Sequence, residues 1–269
     1  MRAVLYALVA FGVVFAGGVL GLFLGRLLPQ KYQSDATQRI VQTSTGMVSL
    51  ITALVLGLLV ANVKGKFDTT NQTTEALAAK LMLINRQLVK FGPEANDARE
   101  LLREYTIARI AATWPGEAGP RPGPDNPSPW KLLESMQQSL SALAPKTEAQ
   151  RSEAAAASEA TTDLEKTTWL EAAQEAQHIE QPFVMILILW LFVLFMSFGL
   201  FAPRNGLVVA ALLVAALAIG STVLLIVDMD SPYEGGMAFV SPKSTQLALA
   251  QMSDSCGGNG CESRHADRR

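Results

Sequence analysis

The sequence predicts an all-α, polytopic membrane protein with four transmembrane helices and a helical extramembrane bundle between the second and third spans. Three observations lead there. Of 269 residues, 49% are hydrophobic and only 17% charged, with a mean hydropathy of +0.24; an average soluble domain carries ~25% charge. The apolar residues gather in four runs, at about 3–25, 47–63, 183–202 and 207–227. Each run approaches the ~20 residues a helix needs to cross ~30 Å of hydrocarbon. The runs are continuous rather than alternating, and lipid satisfies no exposed backbone group, so helix is the conformation open to them. The lipid bilayer is therefore the first partner, and a net charge of −2 offers nothing to nucleic acid.

The first run contains no charge. A cleaved signal peptide is its competing reading, with Arg2 as a minimal basic end. The stretch exceeds the ~7–15 residues of such a core, and no small-x-small site follows Gly25, where the chain continues Arg26-Leu27-Leu28-Pro29. A retained span is predicted. Gly17, Gly21 and Gly25 recur every fourth residue, with Gly12 and Gly18 nearby. Such a face lets a second helix approach closely, whether from the same chain or from a neighbouring subunit.

The second run extends backward through Thr43-Ser44-Thr45, and Thr45, Ser49 and Thr52 share one face. Their hydroxyls could line an aqueous path or bond the carbonyls of the preceding turn. No charged residue lies deep in any run, so the usual mark of a proton relay is missing. Four spans put both termini and the central segment on one side. The flanking basic residues divide almost evenly: Arg2, Lys64, Lys66, Lys166 and Lys243 on that side, Arg26, Lys31, Arg39 and Arg204 on the other. Cytoplasmic termini in a cell membrane, of the bacterial inner-membrane kind, are the expectation.

Residues 64–182 are too polar for the bilayer. Leu77, Leu81, Ile84, Leu88 and Phe91 repeat at spacings of 4, 3, 4 and 3, the pattern of a helix seeking a helical partner. After Gly92-Pro93 an amphipathic helix is predicted with Leu101, Leu102, Tyr105, Ala108 and Ala112 on one side. The proline-rich stretch at 115–129 reads as a loop, with recognition by a proline-binding module as the alternative. Trp130, Leu133, Met136, Leu140 and Leu143 then resume helical spacing until Pro145. A helix rich in Ala, Glu and Gln, from about 147 to 180, is expected to stand as a stalk before the third run.

Enzyme signatures are missing: the chain has no P-loop, no G-x-S-x-G and no H-E-x-x-H. An enzyme is not expected, and no cofactor is called for. Cys256, Cys261 and His265 offer three soft ligands in a tail without apolar residues, which reads as disordered rather than as a zinc site. His178 is read as an interfacial polar residue, with pH sensing as its alternative. The remaining pattern is Asp228-x-Asp230-x-Pro232-x-x-Gly235-Gly236, directly after the fourth run. Pro and Gly end the helix there. The two carboxylates, costly in lipid, should face headgroups, a shared axis or a basic partner, with Lys64 and Lys66 as candidates.

Several pieces together resemble the bestrophin-like membrane domain family. Ala61-Asn62-Val63-Lys64-Gly65-Lys66-Phe67-Asp68 resembles its small-residue span end with a basic-Phe-acidic step. Glu75-Ala76 stands where the family has a Glu-Ala-Asn-Ala helix, and Leu101-Leu102-Arg103-Glu104-Tyr105 is similar to its Leu-Arg-x-Tyr helix. Asp228-x-Asp230-x-Pro232-x-x-Gly235 followed by Val240-Ser241-Pro242 resembles its Asp-x-Pro-aromatic and Val-Ser-Pro ending. The likeness spans roughly residues 5–252; Thr69-Thr70 in place of a basic pair, Leu77 in place of Asn, and the proline-rich loop depart from it.

The resemblance implies kinship with bestrophins: four-span anion channels assembled as rings with a helical cytosolic part. It marks Phe67, Asp68, Glu75, Asp228, Asp230, Pro232, Gly235, Ser241 and Pro242 as motif residues. Bestrophins also carry an acidic calcium-binding cluster after the last span. Asp228, Asp230 and Glu234 sit comparably here, but calcium wants six to eight oxygens, so no metal site is assigned. The expected organisation is a transmembrane hairpin at 1–63, a helical region at 64–182, a second hairpin at 183–228, a post-span segment at 229–252 and a disordered tail at 253–269. The expected function is a homo-oligomeric, channel-like protein passing ions. The alternative is a non-conducting membrane-anchored scaffold or sensor whose central helices bind a protein.

Overall fold

The structure is a computed structural model that describes residues 2–27, 35–114, 128–175, 181–203, 205–233 and 236–257. Among the described residues there are helices and no strand. In chain order they are α1 (Arg2–Leu27), α2 (Asp35–Phe91), α3 (Asn96–Thr113), α4 (Pro129–Ser141), α5 (Glu148–Glu175), α6 (Gln181–Leu200), α7 (Gly206–Asp230) and α8 (Lys243–Gly257). Three of them, α1, α2 and α7, are long and apolar enough to cross a membrane, and α6 carries a shorter apolar stretch, Val184–Leu200. The chain divides into two compact units: residues 1–67, 178–232 and 236–238 form one, and 68–177, 233–235 and 239–269 the other.

In the first unit α1 packs against both α6 and α7. Val14, Leu187, Leu191, Phe195, Leu212 and Ala216 form the buried cluster. Because lipid is as apolar as these side chains, tight contact rather than the hydrophobic effect must hold the helices together. The glycines supply it. A Cβ on Gly17 would stand 2.7 Å from the Phe192 carbonyl oxygen, and one on Gly21 would run into that of Met196. From the other side, a Cβ on Gly199 would meet the Gly18 carbonyl. Gly25 is buried as well, while Gly12 faces open space. The partner left open by the sequence is thus α6 of the same chain.

The second span and the Leu77–Phe91 repeat belong to one 57-residue helix, α2. The polar stretch between them lacks a proline, and its threonines satisfy themselves inside the helix: Thr73 donates to the Thr69 carbonyl at 2.9 Å and Thr74 to that of Thr70 at 2.9 Å.

In the second unit the α2 repeat is spent on the unit's own core. Leu77, Leu81, Ile84, Leu88 and Phe91 are buried with Leu102, Tyr105, Leu132, Met136, Leu164 and Met252. The α3 stripe differs from expectation: Thr106 and Ile110 are buried and Ala112 is exposed. Helix α4 starts at Pro129, the last residue of the expected loop, because proline suits the first turn. The remaining loop residues, 115–127, lie outside the described residues.

Helix α5 is no free stalk. Ala157, Thr161, Leu164, Thr168 and Glu171 are buried at spacings of 4, 3, 4 and 3. Lys80 pairs with Asp163 at 2.7 Å and Lys90 with Glu153 at 3.2 Å, so α2 and α5 run antiparallel. Helix α8 continues to Gly257, across the boundary expected at 252, and buries Ala248 and Met252. Cys261 and His265 lie outside the described residues, as does His178.

A polar layer joins α3 to α5. The Tyr105 hydroxyl lies 3.3 Å from Thr168 Oγ1, and Arg109 pairs with Glu171. Burial pushes the Tyr105 phenol up, against a smaller lowering by the Thr168 hydrogen bond. The folded protein then keeps a proton that the unfolded chain releases above about pH 10. Stability is therefore expected to be flat below that pH and to fall as pH rises from there toward the folded value. Thermal melts from pH 8 to 11 should show this loss in the native protein and a shallower one in Tyr105→Phe; parallel curves would refute it.

Candidate functional site

The segment after α7 is organised around its two aspartates. Asp228, in the last turn, accepts a hydrogen bond through Oδ2 from the Ala238 backbone N–H at 2.7 Å, closing the chain back on the helix end. A Cβ on Gly236 would occupy the space of that carboxylate, so the second glycine of the pair makes room for the clasp. Asp230 turns elsewhere, and Lys66 Nζ reaches its Oδ1 at 2.9 Å. Under these groups lie Val63, Ile226 and Met229, with Phe67 and Ala238 packed against them. Lys64 Nζ stands 5.8 Å from the Phe67 ring centroid, within cation–π reach.

Of the two lysine candidates, Lys66 takes the carboxylate and Lys64 takes the ring. Both carboxylates are engaged, and among the described residues no three His, Cys, Asp or Glu side chains gather to hold a metal. Lys66 is about a third exposed (31%) and Asp230 less so (18%). Water thus screens part of the attraction, and the pair contributes on the order of 1 kcal/mol, between the exposed and buried limits. Lys66→Ala and Asp230→Ala should each lower stability by about that amount. The exchange Lys66→Asp with Asp230→Lys should recover part of it; strictly additive losses in that double variant would show that the pair does not couple.

Glu75 accepts from Asn71 Nδ2 at 3.0 Å on an exposed helix face. Asp68 and Pro232 are half-buried, and Gly235 and Glu234 lie outside the described residues. Ser241 Oγ accepts from the Lys243 N–H at 3.4 Å, and the Pro242 carbonyl accepts from the Gln246 N–H at 2.8 Å, so both open α8. Sequence reasoning missed Trp114, the residue directly before the proline-rich stretch. It is buried, donates from Nε1 to the Val240 carbonyl at 2.8 Å and meets Tyr233 edge-on at 5.6 Å. Its signal was the aromatic of the Asp-x-Pro-aromatic core, which needs a ring to pack on.

The hydroxyl face of α2 points into the first unit. Thr45 and Thr52 are buried, and Thr52 Oγ1 donates to the Val48 carbonyl at 2.8 Å. Thr45 and Ser49 instead line a cavity of about 440 Å³ whose other wall is the end of α6 and the turn beyond it. Residues two positions on lie some 200° around the helix. There Met47 (64% exposed), Ile51 (52%), Leu54 (74%) and Leu58 (70%) form an uncovered stripe at spacings of 4, 3 and 4. Ala61 and Gly65 continue it, also exposed.

Against known proteins, the chain matches the bestrophin-like domain over residues 12–245. Its fold is similar to that of a bacterial bestrophin homologue from Klebsiella pneumoniae, a single-substitution variant. The TM-score is 0.64 at 10% identity, covering 91% of this chain and 99% of that one. A second crystal structure, of a variant membrane protein, is similar with a TM-score of 0.66 at 10% identity, covering 93% and 98%. No curated protein matches the chain in sequence.

Proposed function

The chain belongs to the bestrophin-like family, and from that membership we propose a homo-oligomeric ring of four-span subunits that passes ions, anions by analogy, across a cell membrane. In this reading α6 is the third span, the termini face the cytoplasm and the second unit is the cytosolic part. The observation that carries it is the uncovered stripe of α2. Only 11% of the most apolar window of α2 is buried, against 28% for α1 and for α7. A ring of copies around the stripe gives Met47, Ile51, Leu54 and Leu58 a common axis. Such a wall is an apolar constriction, which gates by excluding water until it widens. The hydroxyls of Thr45, Ser49 and Thr52 back that wall from inside the subunit rather than lining it.

The scaffold alternative drew on the Leu77–Phe91 repeat as a docking face. That repeat is buried within the chain's own core, so its apolar face is not left for a partner protein. Two measurements on one preparation test the proposal: particle mass in nanodiscs, and ion flux in vesicles. A multi-subunit mass with voltage-driven flux is the expected result. A monomer, or an oligomer silent at every voltage and ion composition, overturns it.

A further inference from the structure

We propose that the cavity between α2 and the end of α6 holds the glycerol-ester region of a membrane diacyl lipid. Its polar lining is Gln42, Thr45 and Ser49 from α2 and Ser197 from α6; its apolar lining includes Phe198 and Phe201. At about 440 Å³ it falls within the size range of small-ligand pockets. The chemistry of the lining selects the occupant. Three hydroxyls and an amide can donate to ester oxygens, and among the described residues no charged side chain lines the cavity, so the lining favours neutral ester oxygens over a phosphate or an ammonium group. Two phenyl rings alongside suit the first methylenes of an acyl chain.

Position agrees with this choice. Ser197 is three residues from Leu200, where α6 ends, and Ala202 and Pro203 of the turn also line the cavity. Three residues of helix measure about 4.5 Å, which puts the polar groups near the boundary of headgroup and hydrocarbon when α6 lies in a bilayer. Ester groups concentrate at that depth. The inference rests on residence in a membrane and not on conduction, so its failure and that of the channel reading are separate events.

Gly46 provides the test. It lines the cavity, and a Cβ there meets nothing within 4 Å. Gly46→Leu therefore extends into the cavity from a Cβ that meets nothing, and it raises helix propensity. The protein is placed in nanodiscs of phosphatidylethanolamine and phosphatidylglycerol doped with a photoactivatable diacyl phosphatidylcholine whose reactive group sits early in the acyl chain. Labelling is mapped by peptide mass. The native protein should label at 41–49 and 197–203. Gly46→Leu should lose that labelling by about tenfold while keeping it on the exposed α7 residues Val214 and Leu217. An anionic photolipid should give the same pattern, because the described lining has no charge. Labelling indifferent to Gly46→Leu, labelling that follows headgroup charge, or Gln42→Cys cross-linking between copies in place of lipid overturns the proposal.

Discussion

Gly21→Leu is expected to break the α1–α6 contact and destabilise the first unit by about 3 kcal/mol or more, at the upper end of overpacking effects. The cost is large because the obstruction is backbone. A Cβ at Gly21 meets the Met196 carbonyl and the Cα of Gly199, neither of which can rotate away as a side-chain end would. Relief requires the helices to separate, which forfeits the close approach that packs Gly17 and Gly199 as well. Gly12→Leu is the matched control. It adds the same side chain to the same helix where nothing lies within 4 Å, and its effect should stay within about 0.5 kcal/mol. Thermal melts in one detergent decide the matter, and equal shifts for the two variants would refute the assignment.

The second large effect concerns conduction. Leu54→Ser should raise ion flux through the reconstituted protein by about tenfold or more. Leu54 is the most exposed member of the α2 stripe at 74%, so in the proposed ring its surroundings are set by neighbouring copies. Where an apolar ring excludes water, a hydroxyl from every subunit lowers the cost of wetting, and each ~1.4 kcal/mol removed from a barrier is tenfold in rate. Val214→Ser is the control. It is similarly exposed (65%) but on α7, away from the proposed axis, and should leave flux unchanged. Equal behaviour of the two variants would remove α2 from the pore.

What the sequence disclosed followed the strength of the apolar pattern. The α2 repeat from Leu77 to Phe91 was plain because every repeat position is apolar, and its burial follows. The complementary face of α5 was hidden: its repeat positions are Ala157, Thr161, Leu164, Thr168 and Glu171, only one of them large and apolar. Threonine fits there because its hydroxyl bonds its own helix, as Thr161 does to the Ala157 carbonyl at 2.8 Å. Composition does not reveal that accommodation.

At the candidate site, Lys66 was within reach of reasoning because the expected topology puts the end of the second run and the end of the fourth on one side of the bilayer, where a lysine and an aspartate can pair. The Asp228 clasp was not. It depends on a main-chain donor ten residues away, and a backbone N–H leaves no trace in residue identity. The hydroxyls of α2 were visible as a face, but nothing in their spacing says which side of the helix another span covers.

The glycine contact between α1 and α6 also sets an order of assembly. Gly17 waits for Phe192, 175 residues later in the chain (192 − 17). At about 5–20 residues per second of synthesis, that interval lasts roughly 9–35 s. During it α1 must sit in lipid with its notched side unoccupied, stable as a single helix but open to any other helix of matching shape. Each newborn chain thus carries a vacancy whose proper occupant is still on the ribosome. The depth of the notch, which only a partner with its own small residue at Gly199 fills completely, is what discriminates against the wrong one.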